Sequence, residues 1–294
     1  MKDDYTLSYI LATRNKLPYL KHCLEVLLAH KKEDEEILVA DGASTDGSKD
    51  YLEGLKAQGK IDYFVSERDA GVAHAVNKLA LASRGTLIKY LTDDDVYYYP
   101  ALAECRQFML DHPDVDLINT NGGTKDQDPT HPVRAVSYEP QFRRWMATGE
   151  PFPFNDMGVM LRRSSLPLTG LWDPGFPSPD AEFSFRLSSG KANMAWYTAR
   201  AYVNISNPQS LSRTYLKRIK EERDRLNKFY LNKNPEPYVL ERLKVLRNKL
   251  HTGLSTKADR PKEDFLQDWP RLIESAQQWL MDMHREDTGE FLHT

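Results

Sequence analysis

Along the first ~120 residues, short apolar runs alternate with segments whose apolar positions recur three and four apart. Leu7 to Leu11, Glu36 to Ala40, Ile61 to Val65, Thr86 to Leu91 and Val115 to Asn119 have the length and composition of buried strands. Between them, Pro18 to Ala29, Ser48 to Ala57, Val72 to Ala82 and Pro100 to Leu110 have helical spacing. This alternation predicts an α/β fold: a doubly wound, mostly parallel sheet flanked by helices. Ligands of such sheets bind beyond the carboxyl ends of the strands, so the residues just after each strand are the first candidates for chemistry.

Downstream the pattern loosens. Asn121 to Pro132 is rich in Gly, Asp, Thr and Pro and reads as a loop, and a stretch dense in Pro, Trp and Phe follows from Trp145 to Phe185. After about Ser210 the chain turns to long helical segments, Tyr215 to Leu231, Tyr238 to His251 and Phe265 to Met283, with Pro235, Pro237 and Pro261 as breaks. The expected organisation is an α/β domain over 1–210, with halves at about 1–120 and 121–210, and a helical C-terminal extension over 211–294.

Composition narrows the class. The 294 residues are 40% hydrophobic and 28% charged, with 40 basic against 43 acidic side chains and a net charge of −3, so no global field marks a nucleic-acid binder. Cys23 and Cys105 show neither CxxC spacing nor a paired framework, which suits a reducing cytosol. Asp3 and Asp4 stand where a signal peptide would be basic, and no apolar stretch approaches the length that spans a bilayer. A cytoplasmic protein is expected, free to lie against the inner face of the cell membrane.

Polar clusters end three of the expected strands. The first runs into Ala12-Thr13-Arg14-Asn15 and the second into Asp41-Gly42-Ala43-Ser44-Thr45-Asp46-Gly47. Ser44, Thr45 and Asp46 read as turn and cap residues. Asp41 closes an apolar strand, where a carboxylate is costly unless a donor such as a base imide N–H faces it. The fourth strand runs into Thr92-Asp93-Asp94-Asp95. Three adjacent carboxylates repel unless a cation or hydrogen-bond donors compensate, which points to a divalent metal bridging diphosphate oxygens. Acidic runs also form ordinary solvated loops, so this triplet alone does not decide the matter.

The motifs together do. Leu38 to Gly47, Ser66 to Asn77 (Ser-Glu-Arg-Asp-Ala-Gly-Val-Ala-His-Ala-Val-Asn) and Leu91 to Val96 occur in one order over ~95 residues, and the chain resembles the family 2 inverting glycosyltransferases of the GT-A fold. The resemblance extends more weakly through Met157 to Arg163 and Gly170 to Asp173 to Pro179-Asp180-Ala181-Glu182-Phe183-Ser184-Phe185-Arg186-Leu187, about 210 residues in all. It implies a GT-A catalytic domain with a nucleotide-sugar half and an acceptor half. The implied donor is a nucleotide-diphosphate sugar, UDP-linked or related, and the acceptor a hydroxyl of a glycan or polyprenyl-linked glycan in cell-surface polysaccharide synthesis.

Residue roles follow from the resemblance. Asp41 would accept the base imide proton, with Thr13 beside it. Arg14 occupies a slot where the family often has a stacking tyrosine, a task a guanidinium plane can perform. Asp69 and Asn77 would line or brace the nucleotide pocket, and Asp93 would lie near the ribose or donor sugar. Asp94 aligns best with the ligand of a Mn or Mg ion, with Asp95 a close second. Asp180 matches the catalytic base and Arg186 its accompanying arginine; Glu182, two steps along the same helix, points elsewhere. Asp180 could equally cap the helix from Ala181 to Ser188. The chain departs from the family at Pro179, where an acid is common, and at Asn155-Asp156, where a His-Gln pair is often seen, which leaves the acceptor unread. His74 reads as an ordinary helical histidine.

Two other readings remain: a nucleotidyltransferase, although no GxGxxG or Walker loop follows the first strand, and a silent nucleotide-sugar binding module. From Leu211 to Leu250, twelve basic side chains oppose five acidic ones, an excess of +7 that leaves the rest of the chain at about −10. That stretch is either a docked helix with its basic face in water, a homo-oligomer contact, or a surface for anionic lipid.

Overall fold

The computed structural model describes residues 5–190, 192–210, 214–232 and 261–293. Its first half alternates strand and helix as the periodicity predicts: β1 (Leu7–Thr13), α1 (Leu17–His30), β2 (Glu35–Asp41), α2 (Ser48–Ala57), β3 (Tyr63–Ser66), α3 (Val72–Ala82), β4 (Leu87–Leu91), β5 (Val96–Tyr97) and α4 (Tyr99–Asp111). Pro18 and Pro100 sit in the first turns of α1 and α4, where a missing N–H costs nothing and the fixed φ suits the helix. Then follow β6 (Leu117–Lys125), β7 (Arg134–Val136), α5 (Glu139–Thr148), a 3₁₀ turn at Asp156–Gly158, β8 (Met160–Arg162), α6 (Leu166–Thr169), α7 (Pro179–Ser189) and β9 (Met194–Ile205). The described C-terminal elements are α8 (Leu216–Leu231), α9 (Lys262–Glu286) and β10 (Phe291–Leu292). The expected helix over Tyr238 to His251 lies outside the described residues.

One sheet runs in the order β10-β9-β6-β8-β4-β1-β2-β3. Strands β3, β2, β1, β4, β6 and β9 share one direction, and β8 is inserted against them between β4 and β6. The expected class is therefore the observed one. Leu7, Tyr9, Leu11, Ile37 and Val39 face α1, α2 and α4 on one side of the sheet, while Ile10, Leu38, Ala40 and Ile88 face α3, α5 and α7 on the other. Strand β1 is buried on both faces, which is why it reads as a continuous apolar run rather than an alternating one.

The stretch from Asn121, expected to be a loop, is strand through Lys125. Its glycines serve packing rather than turning. A Cβ on Gly122 would stand 2.4 Å from the Tyr202 ring, and one on Gly123 would stand 2.7 Å from the Trp279 ring. Composition suggested a turn because it does not register a large partner lying across the backbone.

The described part of the extension builds the same core. On α9, Phe265, Trp269, Leu272, Ile273, Ala276 and Leu280 recur at helical spacing and pack on Tyr19, Val96, Val203 and Ile205. Each large apolar side chain buried in this way is worth about 1.5–3 kcal/mol. Beyond α9, β10 pairs antiparallel with Tyr197 and Trp196 of β9. Helix α8 lies over α7, with Phe185 and Tyr230 stacked at 5.2 Å between ring centroids.

Candidate active site

The carboxyl ends of β3, β2, β1 and β4 bring Ser66, Asp41, Thr13 and the acidic loop into a row. Asp41 pairs with Thr13 in the parallel register and with Ser66 on its other side. It is fully buried, and it accepts hydrogen bonds from the Ser66 hydroxyl at 2.6 Å and the Ser44 amide at 3.1 Å. These donors meet the desolvation cost that made Asp41 conspicuous in sequence. Two residues nearby hold left-handed backbone, Asn15 at φ 54° and Ala43 at φ 57°. The loops that carry them interlock: the Asn15 amide donates to Ser44 Oγ at 2.8 Å, and the Thr45 amide donates to Asn15 Oδ1 at 2.8 Å. Arg14 is exposed and lays its stem across Gly42, where a Cβ would come within 3.2 Å of it. Its stem thus covers the turn that follows Asp41.

The acidic loop follows β4 and is fixed by β5, whose Val96 and Tyr97 pair with Val203 and Tyr202 of β9. Asp95 uses both oxygens on protein donors. Oδ1 accepts from the Ile205 amide at 2.6 Å and from Asn204 Nδ2 at 3.1 Å, and Oδ2 accepts from the Thr92 hydroxyl at 2.6 Å. Asp93 accepts from the Thr13 hydroxyl at 2.6 Å. Burial pushes the carboxyls of Asp93 and Asp95 above the ordinary range, and Asp94 pushes in the same direction. Asp94 itself is met by the Lys16 ammonium in an ion pair and by Asn207 Nδ2 at 2.8 Å, both on Oδ2. Burial works against the Lys16 charge, but Asp94, Asp93 and Asp95 outweigh it and hold that ammonium above its usual pKa.

These contacts test the expected divalent metal. Both Asp95 oxygens are engaged by protein donors, and Asp94 already faces a cation. No group of three or more His, Cys, Asp or Glu side chains among the described residues could hold a metal ion. The charge compensation that the triplet demands comes from Lys16, Asn207 and the loop's own donors, and a metal held by Asp94 and Asp95 does not fit this arrangement.

Asp180 lies in the first turn of α7 and accepts from the Ser178 hydroxyl. Tyr138 and Tyr202 both feel its charge, which adds to the burial that raises their pKa values. Glu182 is spoken for. Arg186 grips it with Nε at 2.8 Å and Nη2 at 3.1 Å, and uses its remaining donors on the carbonyls of Thr169 and Leu171. Arg186 thus ties α7 to the loop before it. Asn77 braces the same region, donating to the Trp172 carbonyl at 2.7 Å and accepting from the Trp172 amide at 3.0 Å. Asp69 stands apart from the row, ion-paired with Lys78 at 2.6 Å and 3.5 Å from His74.

Four polar residues to which sequence reasoning gave no role belong to this region: Lys16, Asn207, Lys89 and Asp156, the last noted only as a departure from the family pattern. Asp156 is buried on the 3₁₀ turn and accepts from Trp172 Nε1 at 3.0 Å; burial and then the Asp180 charge push its carboxyl up. Lys89 is fully buried and donates to the carbonyls of Met157 and Val159. Its burial drives its pKa down to about 7. A lysine in the middle of Leu87 to Leu91 was the available signal. Lys16 and Asn207 gave none, because 78 and 113 residues separate them from Asp94.

Comparison with known proteins adds lineage to this geometry. Residues 8–166 match the family model described as Glycosyl transferase family 2. A PGL/p-HBAD biosynthesis glycosyltransferase of Mycobacterium tuberculosis is 29% identical over 161 residues, covering 50% of this chain and 62% of that protein. A putative teichuronic acid biosynthesis glycosyltransferase, TuaG of Bacillus subtilis, is 26% identical over 106 residues, covering 36% and 42% respectively. The chain thus spans less than two thirds of the length of either relative. Among solved structures, S. aureus TarS 1–349 in complex with UDP-GlcNAc superposes with a TM-score of 0.56 at 15% identity, over 95% of this chain and 81% of that one. The mannosyltransferase PcManGT from Pyrobaculum calidifontis, in complex with GDP-Man and Mn²⁺, superposes at 0.55 and 15% identity, over 95% and 75%. At such identities the superpositions speak to the fold alone.

Proposed function

The chain belongs to glycosyl transferase family 2, and from that premise we propose that it moves a sugar, with inversion, from a nucleotide-diphosphate donor to a hydroxyl of a glycan or lipid-linked glycan. A UDP-sugar is the favoured donor, and cell-surface polysaccharide synthesis the favoured setting; the M. tuberculosis and B. subtilis relatives are named for PGL/p-HBAD biosynthesis and teichuronic acid biosynthesis. The observation that carries this reading is the row Ser66, Asp41, Thr13 and Asp93 along four adjacent strand ends.

In this reading Asp41 receives the base imide and Arg14 covers the base face. Thr13 and Asp93 stand at the ribose and donor sugar, and Asn77 with Trp172 supports the wall behind them. Asp180 takes the acceptor proton as the acceptor oxygen attacks the anomeric carbon from the face opposite the diphosphate. A carboxylate kept in place by one hydroxyl, as Asp180 is by Ser178, retains an oxygen for that task. The region before β8, with Asp156, would line the acceptor side.

The test is a panel of UDP- and GDP-sugars, scored by release of nucleoside diphosphate with and without candidate acceptors. Slow release from one donor is the expected result. Tight nucleotide binding without any turnover would instead favour a silent binding module.

A further inference from the structure

We propose that Lys16 is the protein's own counter-cation for the donor diphosphate, so that nucleotide binding and sugar transfer proceed without a divalent metal. The proposal rests on the donor reading above. Its basis is geometric. Lys16 lies immediately before α1, on the loop that also presents Thr13, Arg14 and Asn15 at the end of β1. Its ammonium bonds Asp94 with both side chains only 12% exposed, and it sits 5.5 Å from the centre of the Tyr19 ring. Tyr19 is in turn packed by Phe265 and Trp269 of α9, so one wall of the lysine's niche is rigid and apolar.

The niche is built for an ammonium. Asn207 donates to the same Asp94 oxygen from the opposite chain segment, and Asp95 is consumed by Thr92, Asn204 and the Ile205 amide. A divalent ion seated here would need oxygen ligands, and the neighbours that converge on Asp94 are donors. The acidic loop therefore works one step removed: Asp94 and Asn207 position the lysine, and the lysine meets the phosphate.

The transfer step then balances with no further reactant. The acceptor oxygen bonds to the anomeric carbon while its proton passes to Asp180. The bond from that carbon to the diphosphate oxygen breaks, and its electron pair leaves with the nucleoside diphosphate, whose added charge faces the Lys16 ammonium.

The experiment is calorimetric titration of UDP into the whole protein in EDTA and again in Mn²⁺, for wild type, Lys16→Met and Lys16→Arg. Wild type should bind UDP in EDTA within about threefold of its affinity in Mn²⁺. Lys16→Met should lose about 10- to 100-fold in EDTA, the scale of one charge-assisted contact, while Lys16→Arg should retain most of the affinity. Wild-type binding that requires Mn²⁺, or equal affinity of wild type and folded Lys16→Met in EDTA, would overturn the proposal while leaving the donor reading intact. If Lys16→Met fails to fold, the wild-type comparison decides alone. No UDP binding in any condition would overturn the donor reading and this proposal together.

Discussion

Asp180 and Glu182 lie two residues apart on one helix, and their surroundings assign them different work. Asp180 has one hydroxyl partner, whereas Glu182 is held by both arms of a guanidinium that also ties down two carbonyls. Asp180→Asn should leave UDP affinity nearly unchanged and lower turnover by roughly 10²- to 10⁴-fold, the usual cost of losing a general base. Glu182→Gln should act through stability. Glu182 is nearly buried but Arg186 is 31% exposed, so losing the charge should cost about 1.5–3 kcal/mol, the worth of a charged hydrogen bond, and the variant should unfold at lower urea while its folded fraction still turns over donor. Full activity in Asp180→Asn, measured beside a folded but inactive Glu182→Gln, would exchange the two roles.

At the scale of elements, Lys89 shows how a strand can read as apolar and still carry chemistry. Its amine is neutral in the folded chain above about pH 7, whereas in the unfolded chain it keeps its proton up to about 10.5. Between those values the unfolded chain binds more protons, so the Lys89 contribution makes stability rise with pH; below about 7 it is uniformly unfavourable. Lys89→Met should therefore gain most over wild type at pH 7, and the gap should narrow by pH 9, as read from urea midpoints at both values. A constant gap would mean that Lys89 does not titrate there. The first four βα units were legible because each strand and helix announces itself in about ten residues. The acidic loop was legible as a cluster needing a counter-charge, but the source of that charge was not, since Lys16 reaches Asp94 through the pairing of β1 with β4 and Asn207 through that of β5 with β9. Strand β6 beyond Asn121 was misread for the same reason: its glycines answer to Tyr202 and Trp279, which local sequence does not show.

For the whole molecule, no described helix is long and apolar enough to cross a membrane, and a lipid-linked acceptor would call for contact with a membrane surface. Helix α8 offers a surface for it. Lys217, Lys220, Arg225 and Lys228 are exposed there with Phe229, which is 81% exposed, and the helix rests on α7, whose first turn carries Asp180. Each basic residue near an anionic surface is worth about 1 kcal/mol, so changing these four to Glu should abolish co-sedimentation with anionic liposomes at low salt. Arg218 is better spared, because it donates to the Gly175 carbonyl and to Glu222. Wild type that stays in the supernatant would end the membrane reading. The clasp between Asp95 and Ile205 also sets an order of events during synthesis. The two residues are 110 apart, so at ~5–20 residues per second the acidic loop emerges from the ribosome about 5–20 s before its anchor. Helix α9, which backs that anchor, emerges later still. A nascent chain stopped short of β9 would have Thr13, Lys16 and Thr92 for its three neighbouring carboxylates but would lack the Asn204, Ile205 and Asn207 donors, so the acidic loop reaches its final form only once β9 has emerged.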